Sequence, residues 1–90
     1  MIFDFSNKIV LITGAARGIG YTLAENFCKF GAYVVIADIN EEKGNEAVNK
    51  LSANGYKCSY KLIDLNEFDK LEKFINELSD EFTQIDILIN

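Results

Sequence analysis

The sequence contains no histidine and only two cysteines, Cys28 and Cys58. Without histidine, neither a Ser-His nor a Cys-His pair is present to activate a nucleophile. A structural zinc site takes four nitrogen or sulfur ligands, which this composition does not supply. We therefore expect no metal centre and two reduced thiols, with a disulfide between them as the alternative.

Proline is also absent, and basic residues are few: nine Lys and Arg against 14 Asp and Glu give a net charge of −5. Nucleic acids and anionic membranes bind basic surfaces, so this balance argues against both as partners. The sequence has no apolar run near the length of a membrane span and no signal-peptide pattern at its start. We therefore expect a cytoplasmic protein.

Short apolar runs alternate with segments of helical period. Residues 8–13 and 33–37 are apolar and rich in β-branched side chains, which is typical of strands buried on both faces of a parallel sheet. Residues 58–65 and 86–90 predict a third and a fourth strand. The segments between the strands predict three helices, whose ends are marked by Gly31, Asn40, Gly55 and Asn66. The third helix would carry an apolar stripe formed by Phe68, Leu71, Ile75, Leu78 and Phe82.

The resulting order, β-α-β-α-β-α-β, predicts an α/β fold with a parallel sheet, right-handed crossovers and helices on both faces. Ninety residues make at most one small domain. The expected strand order is 3-2-1-4, as in the first half of a doubly wound sheet. In that arrangement Ile87, Leu88 and Ile89 would form an open edge, which predicts self-association.

A glycine cluster, G-x-x-x-G-x-G, lies at residues 14–20 between the first strand and the first helix. In dinucleotide-binding units such a turn places the pyrophosphate at the helix N-terminus, where free N–H groups and the helix dipole favour an anion. Gly14 and Gly18 would let the backbone approach the phosphates, and Gly20 would let the helix pack closely on the sheet. Turns also collect glycine for purely conformational reasons.

Asp38 closes the second strand, where an acidic residue can accept hydrogen bonds from both hydroxyls of an adenosine ribose. The alternative is a strand-end or capping residue without a ligand. Because the strand, the glycine turn, the helix and the acid all stand in the order of a nucleotide-binding unit, we interpret this region as a nucleotide site.

The residues Thr13 to Gly20, TGAARGIG, resemble the TGxxxGxG signature of the short-chain dehydrogenase/reductase family. Residues 5–10 resemble the family's approach to the first strand, and residues 87–90 resemble the strand that leads into its NNAG motif. The resemblance implies a Rossmann-type fold. It also implies that residues 1–90 are the N-terminal, partial NAD(P)-binding domain of a longer single-domain enzyme.

The resemblance also implies a set of cofactor-binding residues: Gly14, Ala16, Arg17, Gly18, Ile19, Gly20, Asp38, Asp64, Leu65 and Asn90. The glycine loop would wrap the pyrophosphate, with Ile19 near the nicotinamide half. Asp64 would contact the adenine amino group, and Leu65 would lie beside its ring. Core packing is the alternative for Ile19 and Leu65, and a strand-end role beside the next helix cap is the alternative for Asp64.

Two residues give opposite indications of the cofactor. Some members of the family use a basic residue at the position of Arg17 to meet the 2′-phosphate of NADP. Asp38 would face that phosphate with like charge, and two unit charges 4 Å apart near a protein surface repel by about 4 kcal/mol. We therefore predict NAD rather than NADP.

The family's chemistry uses a Tyr-x-x-x-Lys pair and a serine, and none of the four tyrosines here is followed by lysine at that offset. We therefore assign no catalytic residue. The resemblance implies hydride transfer between NAD(H) and an alcohol or carbonyl substrate in the complete enzyme. The alternatives are a non-catalytic nucleotide-binding module and an inactive truncated product.

Overall fold

The computed structural model describes residues 4–64, 72–73, 76–77 and 85–89. Four strands and two helices have both of their ends within the described part of the chain. In chain order they are β1 (Ile9–Thr13), α1 (Gly18–Lys29), β2 (Tyr33–Asp38), α2 (Glu41–Ala53), β3 (Cys58–Leu62) and β4 (Ile87–Ile89). The strands pair in parallel in the order β3-β2-β1-β4. The predicted α/β fold and strand order are confirmed.

The two central strands, β1 and β2, are buried on both faces, which explains their lack of polar alternation. On the face of the sheet that α1 and α2 cover, residues of both strands pack with Ala24 and Cys28 of α1 and with Ala47 and Leu51 of α2. On the opposite face Leu11, Val35, Ala37 and Ile63 form a second cluster. The sheet therefore forms the centre of the core.

The helix ends follow the predicted signals. Gly31 (φ 97°) and Gly55 (φ 83°) adopt the left-handed conformation just after α1 and α2. Asn40 caps α2, because its side-chain oxygen accepts a hydrogen bond from the Lys43 N–H at 3.0 Å. The two glycines thus lie between each helix and the strand that follows it, β2 after Gly31 and β3 after Gly55.

The third strand is shorter than predicted, ending at Leu62 instead of residue 65. Its neighbour β2 ends at Asp38, whose carbonyl accepts the last bond of this ladder from the N–H of Ile63 at 3.2 Å. Residues 72–73 and 76–77 are helical. The Asn66 cap and the predicted stripe of the third helix (Phe68, Leu71, Ile75, Leu78 and Phe82) lie outside the described residues.

Both cysteines are free thiols, and Cys28 is buried between α1 and the sheet. No helix in the described ranges is both long and apolar enough to cross a membrane. The described residues also contain no group of three or more His, Cys, Asp or Glu side chains that could hold a metal ion.

Candidate nucleotide site

In the turn that follows β1, the backbone conformation favours glycine at two positions. Gly14 and Gly18 have φ angles of 67° and 65°, in the left-handed region that side chains rarely adopt. A Cβ atom built on either residue would meet no atom within 4 Å, so the space beside both is open. The turn therefore leaves its backbone accessible, as close approach to a ligand requires.

Gly20 has a different role. A Cβ atom there would collide with the carbonyl oxygen of Gly14 and lie 2.9 Å from the Cα of Ala15. The first turn of α1 thus packs directly on the backbone of the glycine turn. The predicted close packing is present, but its partner is the turn at the end of β1 and not the strand itself.

The helix α1 begins at Gly18, the second of the two left-handed glycines of this turn. Arg17 stands at the N-cap position with extended backbone (φ −159°, ψ 169°), and within the described chain its side chain makes no capping hydrogen bond. No acidic residue lies in the first turn of the helix. The N–H groups that a helix leaves unpaired here favour an anion.

Asp38 lies at the adjacent strand end and faces the turn. Its Oδ2 atom is 3.4 Å from the backbone nitrogen of Ala16, and its Oδ1 atom accepts a hydrogen bond from the Asn40 N–H at 2.9 Å. The N–H of Gly14 bonds to the Ala37 carbonyl at 2.8 Å, which holds the two strand ends together. The carboxylate therefore serves as a strand-end acceptor and also reaches the glycine turn.

A concavity of about 340 Å³ opens between the start of α1 and the side of α2 that carries Lys43, Ala47 and Lys50. Three of its lining residues are cations, Arg17, Lys43 and Lys50, and the ammonium group of Lys43 lies 3.4 Å from a carboxylate oxygen of Glu46. Neither lysine was among the predicted site residues. Their spacing of seven residues, which puts them on one face of α2, was the signal that could have found them.

Three large apolar side chains are exposed near the carboxyl ends of the strands. Ile19 is 82% exposed, so it does not pack in the core of the described chain. Ile39 and Leu62 are 60% and 57% exposed and flank the end of β2, since Asp38 pairs with Leu62 in the sheet register. Ile39 and Leu62 were not among the predicted site residues, because strand-end apolar residues carry no distinctive pattern.

The remaining predicted residues can be located only in part. Asp64 is half-buried and follows the end of β3 at the same edge of the sheet. Leu65 and Asn90 lie outside the described residues. The hydroxyl of Thr13 donates to the carbonyl of Ile89 at 3.4 Å and links the ends of β1 and β4. The glycine turn, Asp38 and Asp64 thus all lie at the carboxyl ends of the parallel strands.

A family model described as short chain dehydrogenase matches residues 8–90 of the chain. Among curated proteins, the chain is 38% identical over 85 residues to a 3-oxoacyl-(acyl-carrier-protein) reductase of Chlamydia muridarum, an alignment that covers 93% of this chain and 34% of that protein. The chain therefore spans about a third of the length of the curated relatives it matches.

Solved structures give the same result. A citronellol catabolism dehydrogenase of Pseudomonas aeruginosa superposes with a TM-score of 0.90 at 25% identity, covering 99% of this chain and 36% of that one. A metagenomic short-chain oxidoreductase in complex with NADP superposes with a TM-score of 0.87 at 28% identity, covering 92% of this chain and 38% of that one. The fold of the described residues is that of these dehydrogenases.

Proposed function

The chain belongs to the short chain dehydrogenase family, a family of dinucleotide-binding oxidoreductases, and on that premise we propose that it binds NAD at the turn between β1 and α1. The observation that carries this proposal is the position of the Asp38 carboxylate beside an open, glycine-lined turn at a helix N-terminus. In this proposal residues 1–90 form the partial NAD-binding domain of a cytoplasmic oxidoreductase.

The pyrophosphate would lie against the turn. Gly14 and Gly18 leave room for its oxygens, and the N-terminal N–H groups of α1 would donate to them. Arg17 supplies a positive charge at the same end of the helix. The nicotinamide half would then extend past the exposed side chain of Ile19.

The adenosine half would lie over the ends of β2 and β3. Asp38 would accept hydrogen bonds from the ribose hydroxyls, and its 3.4 Å contact with the Ala16 N–H is long enough to be exchanged at little cost. Asp64 and Leu65 would contact the adenine. The exposed side chains of Ile39 and Leu62 supply apolar surface for the faces of the base.

Charge favours NAD over NADP at the ribose, because a 2′-phosphate would approach the carboxylate of Asp38. A specific observation favours the second candidate, NADP: the concavity lined by Arg17, Lys43 and Lys50 could neutralise a phosphate. The ion pair between Lys43 and Glu46 reduces the net positive charge of that lining. We therefore keep NAD as the proposal.

The reaction in the complete enzyme would be hydride transfer between NAD(H) and an alcohol or carbonyl compound. The nicotinamide ring supplies the hydride chemistry when it is bound. The residues of this chain would bind and orient the cofactor, and no catalytic proton donor is assigned to them. A non-catalytic nucleotide-binding module and an inactive product are the alternatives, and the coding sequence after codon 90 distinguishes them: Asn-Ala-Gly followed by a later Tyr-x-x-x-Lys supports the enzyme.

Calorimetric titration with NAD, NADP and ADP-ribose tests the binding site. We expect NAD to bind more tightly than NADP, and ADP-ribose to retain most of the affinity. Gly18→Ala should abolish or strongly weaken NAD binding, because the new Cβ would fill the space beside the turn. Gly55→Ala is the matched control, since Gly55 also has a left-handed φ of 83° and an open surrounding but lies after α2.

Equal loss of NAD affinity in both glycine variants would show that backbone strain, and not the turn, governs binding. Equal or tighter binding of NADP would refute the role given to Asp38. An absence of any dinucleotide binding by the folded chain would refute the proposed site.

We also propose that the chain self-associates through β4. In the described sheet, β4 pairs with β1 alone, and Leu88 is 45% exposed. Open backbone groups and apolar side chains on an edge strand favour pairing with another copy.

A further inference from the structure

Tyr60 connects β3 to the end of β2 through its side chain. Its hydroxyl donates a hydrogen bond to the backbone carbonyl of Asp38, with the two oxygens 2.6 Å apart. In the sheet register Tyr60 pairs with Ile36, two residues before Asp38, and its ring packs against the core cluster beneath α2. The side chain therefore runs along the sheet toward the proposed nucleotide site.

Gly44 explains how the ring fits there. A Cβ atom on Gly44 would overlap the Cδ1 and Cε1 atoms of Tyr60 and lie 2.9 Å from its Cζ atom. The φ of Gly44 is not in the left-handed region, so its backbone does not require glycine. Glycine inside a helix costs about 1 kcal/mol relative to alanine. In α2 that cost is offset by the space it gives to the aromatic ring.

The bond orients Asp38 through its main chain. The Asp38 carbonyl accepts from the Tyr60 hydroxyl and, at 3.2 Å, from the N–H of Ile63. Holding the carbonyl fixes the peptide plane where β2 ends, and this plane sets the direction in which the Asp38 side chain leaves the sheet. The same carboxylate is then aimed at Ala16 in the glycine turn.

The hydroxyl is suited to be a permanent donor. Burial raises the pKa of Tyr60 above its ordinary value, and the negative charges of Asp38 and Glu41 raise it further. The phenol therefore keeps its proton across the physiological range and beyond. A phenol that stays protonated can donate to the Asp38 carbonyl throughout the physiological pH range.

We propose that Tyr60, seated against Gly44, is a positioning residue that holds the Asp38 carboxylate in the orientation that binds the ribose of the dinucleotide. This inference rests on the proposed function, because it assigns a role in NAD binding to a residue that does not itself contact the cofactor. It predicts that the hydroxyl of Tyr60 contributes to NAD affinity only through Asp38.

A double-mutant cycle on the 90-residue chain tests the proposal, with NAD as the titrated ligand. Tyr60→Phe keeps the ring in the space beside Gly44 and removes only the hydroxyl. We expect it to raise the Kd for NAD by roughly threefold to tenfold, the range that corresponds to one hydrogen bond. In the Asp38→Ala background, Tyr60→Phe should leave the Kd unchanged, because the carboxylate it positions is gone.

Tyr56→Phe is the matched control. Tyr56 is also partly buried against the core, but it precedes β3 and lies at the opposite end of the sheet from Asp38. Its substitution should leave the Kd unchanged in both backgrounds. Urea unfolding of every variant confirms that the compared chains are folded.

The outcomes separate the two proposals. If the wild-type chain binds NAD but Tyr60→Phe weakens binding by the same factor with and without Asp38, the positioning role is refuted and the site stands. No effect of Tyr60→Phe in the wild-type background refutes it equally. If the folded wild-type chain does not bind NAD, the proposed function and this role both fail.

Discussion

The Oδ2 atom of Asp38 lies 3.4 Å from the backbone nitrogen of Ala16, so the end of β2 contacts the turn that follows β1. The contact joins the two features from which the nucleotide site was inferred. It exists because the parallel register places Ala37 opposite Thr13, which brings the residues that follow each strand to the same edge. A ribose bound by Asp38 would therefore sit next to a pyrophosphate bound by the turn.

Removing the Asp38 carboxylate should change the preference between cofactors. In Asp38→Ala we expect the Kd for NAD to rise by roughly tenfold or more, since hydrogen bonds to a charged group contribute about 1.5–3 kcal/mol. The Kd for NADP should stay the same or fall, because the like charge beside the 2′-phosphate is gone. Titration with both cofactors measures the ratio.

Asp4→Ala is the control for this variant. It removes the same charge from an exposed residue whose carboxylate accepts a hydrogen bond from the Ser6 N–H at 2.9 Å. The ratio of the two Kd values should be that of the wild type. A ratio that shifts equally in both variants would assign the effect to net charge instead of position.

How far sequence could predict this site depends on how local each feature is. The glycine turn and Asp38 were predictable, because strand, turn, helix and strand follow one another and each glycine has a fixed place in that order. The contact between Gly44 and Tyr60 was not predictable. It joins α2 to β3 and depends on how closely the Tyr60 ring approaches the backbone of the helix. The early end of β3 likewise depends on where its neighbour β2 ends.

Gly20 and Gly18 should respond to alanine in different ways. Helix propensity alone predicts that Gly20→Ala stabilises α1 by about 1 kcal/mol. The collision of its Cβ with the Gly14 carbonyl predicts the opposite, a loss of about 1–3 kcal/mol from overpacking. Gly18→Ala meets no atom and should cost about 1–2 kcal/mol, the penalty of a left-handed backbone.

Urea unfolding measures both variants. Thr22→Ala, at an exposed position of the same helix, is the control and should change the free energy of unfolding by less than about 0.5 kcal/mol. A stabilised Gly20→Ala chain would mean that the first turn of α1 does not rest on the glycine turn as described.

The cap of α2 can be tested by two substitutions of the same kind with opposite signs. Asn40→Ala removes the oxygen that accepts from the Lys43 N–H and should lower the free energy of unfolding by about 1 kcal/mol. Asn45→Ala, at an exposed position inside the helix, should raise it by a few tenths of a kcal/mol through propensity, roughly 0.5 at most. Changes of the same sign in the two variants would contradict the assigned cap.

In the described sheet β4 pairs with β1 alone, and the proposed self-association through β4 predicts that the chain associates in a concentration-dependent way. Leu88→Lys places a charge on that strand and should shift the sedimentation profile toward monomer. Ile19→Lys makes a comparable change at an apolar side chain that is 82% exposed on α1. The control should associate as the wild type does. Dissociation in both variants would point to general surface hydrophobicity, and a wild type that is monomeric at all concentrations would refute the edge interaction.

The buried thiol of Cys28 should make stability fall at alkaline pH. Burial raises its pKa from 9.0 to about 12, with smaller contributions from Cys58 and Glu25. In the unfolded chain the thiol ionises near its ordinary pKa, while the folded chain keeps the proton. The stabilising contribution is therefore fully present below pH 9 and is lost as the pH rises toward 12.

Urea unfolding of the wild type and of Cys28→Ala at a series of pH values isolates this contribution. The substitution leaves a small cavity, whose cost does not depend on pH. The informative quantity is therefore the change with pH in the difference between the two free energies of unfolding. We expect the wild type to lose its advantage progressively above pH 9, because only its unfolded state gains a thiolate at this position. Parallel stability curves would show that Cys28 ionises as readily in the folded chain as in the unfolded one, and the close packing of α1 on the sheet at that residue would then be wrong.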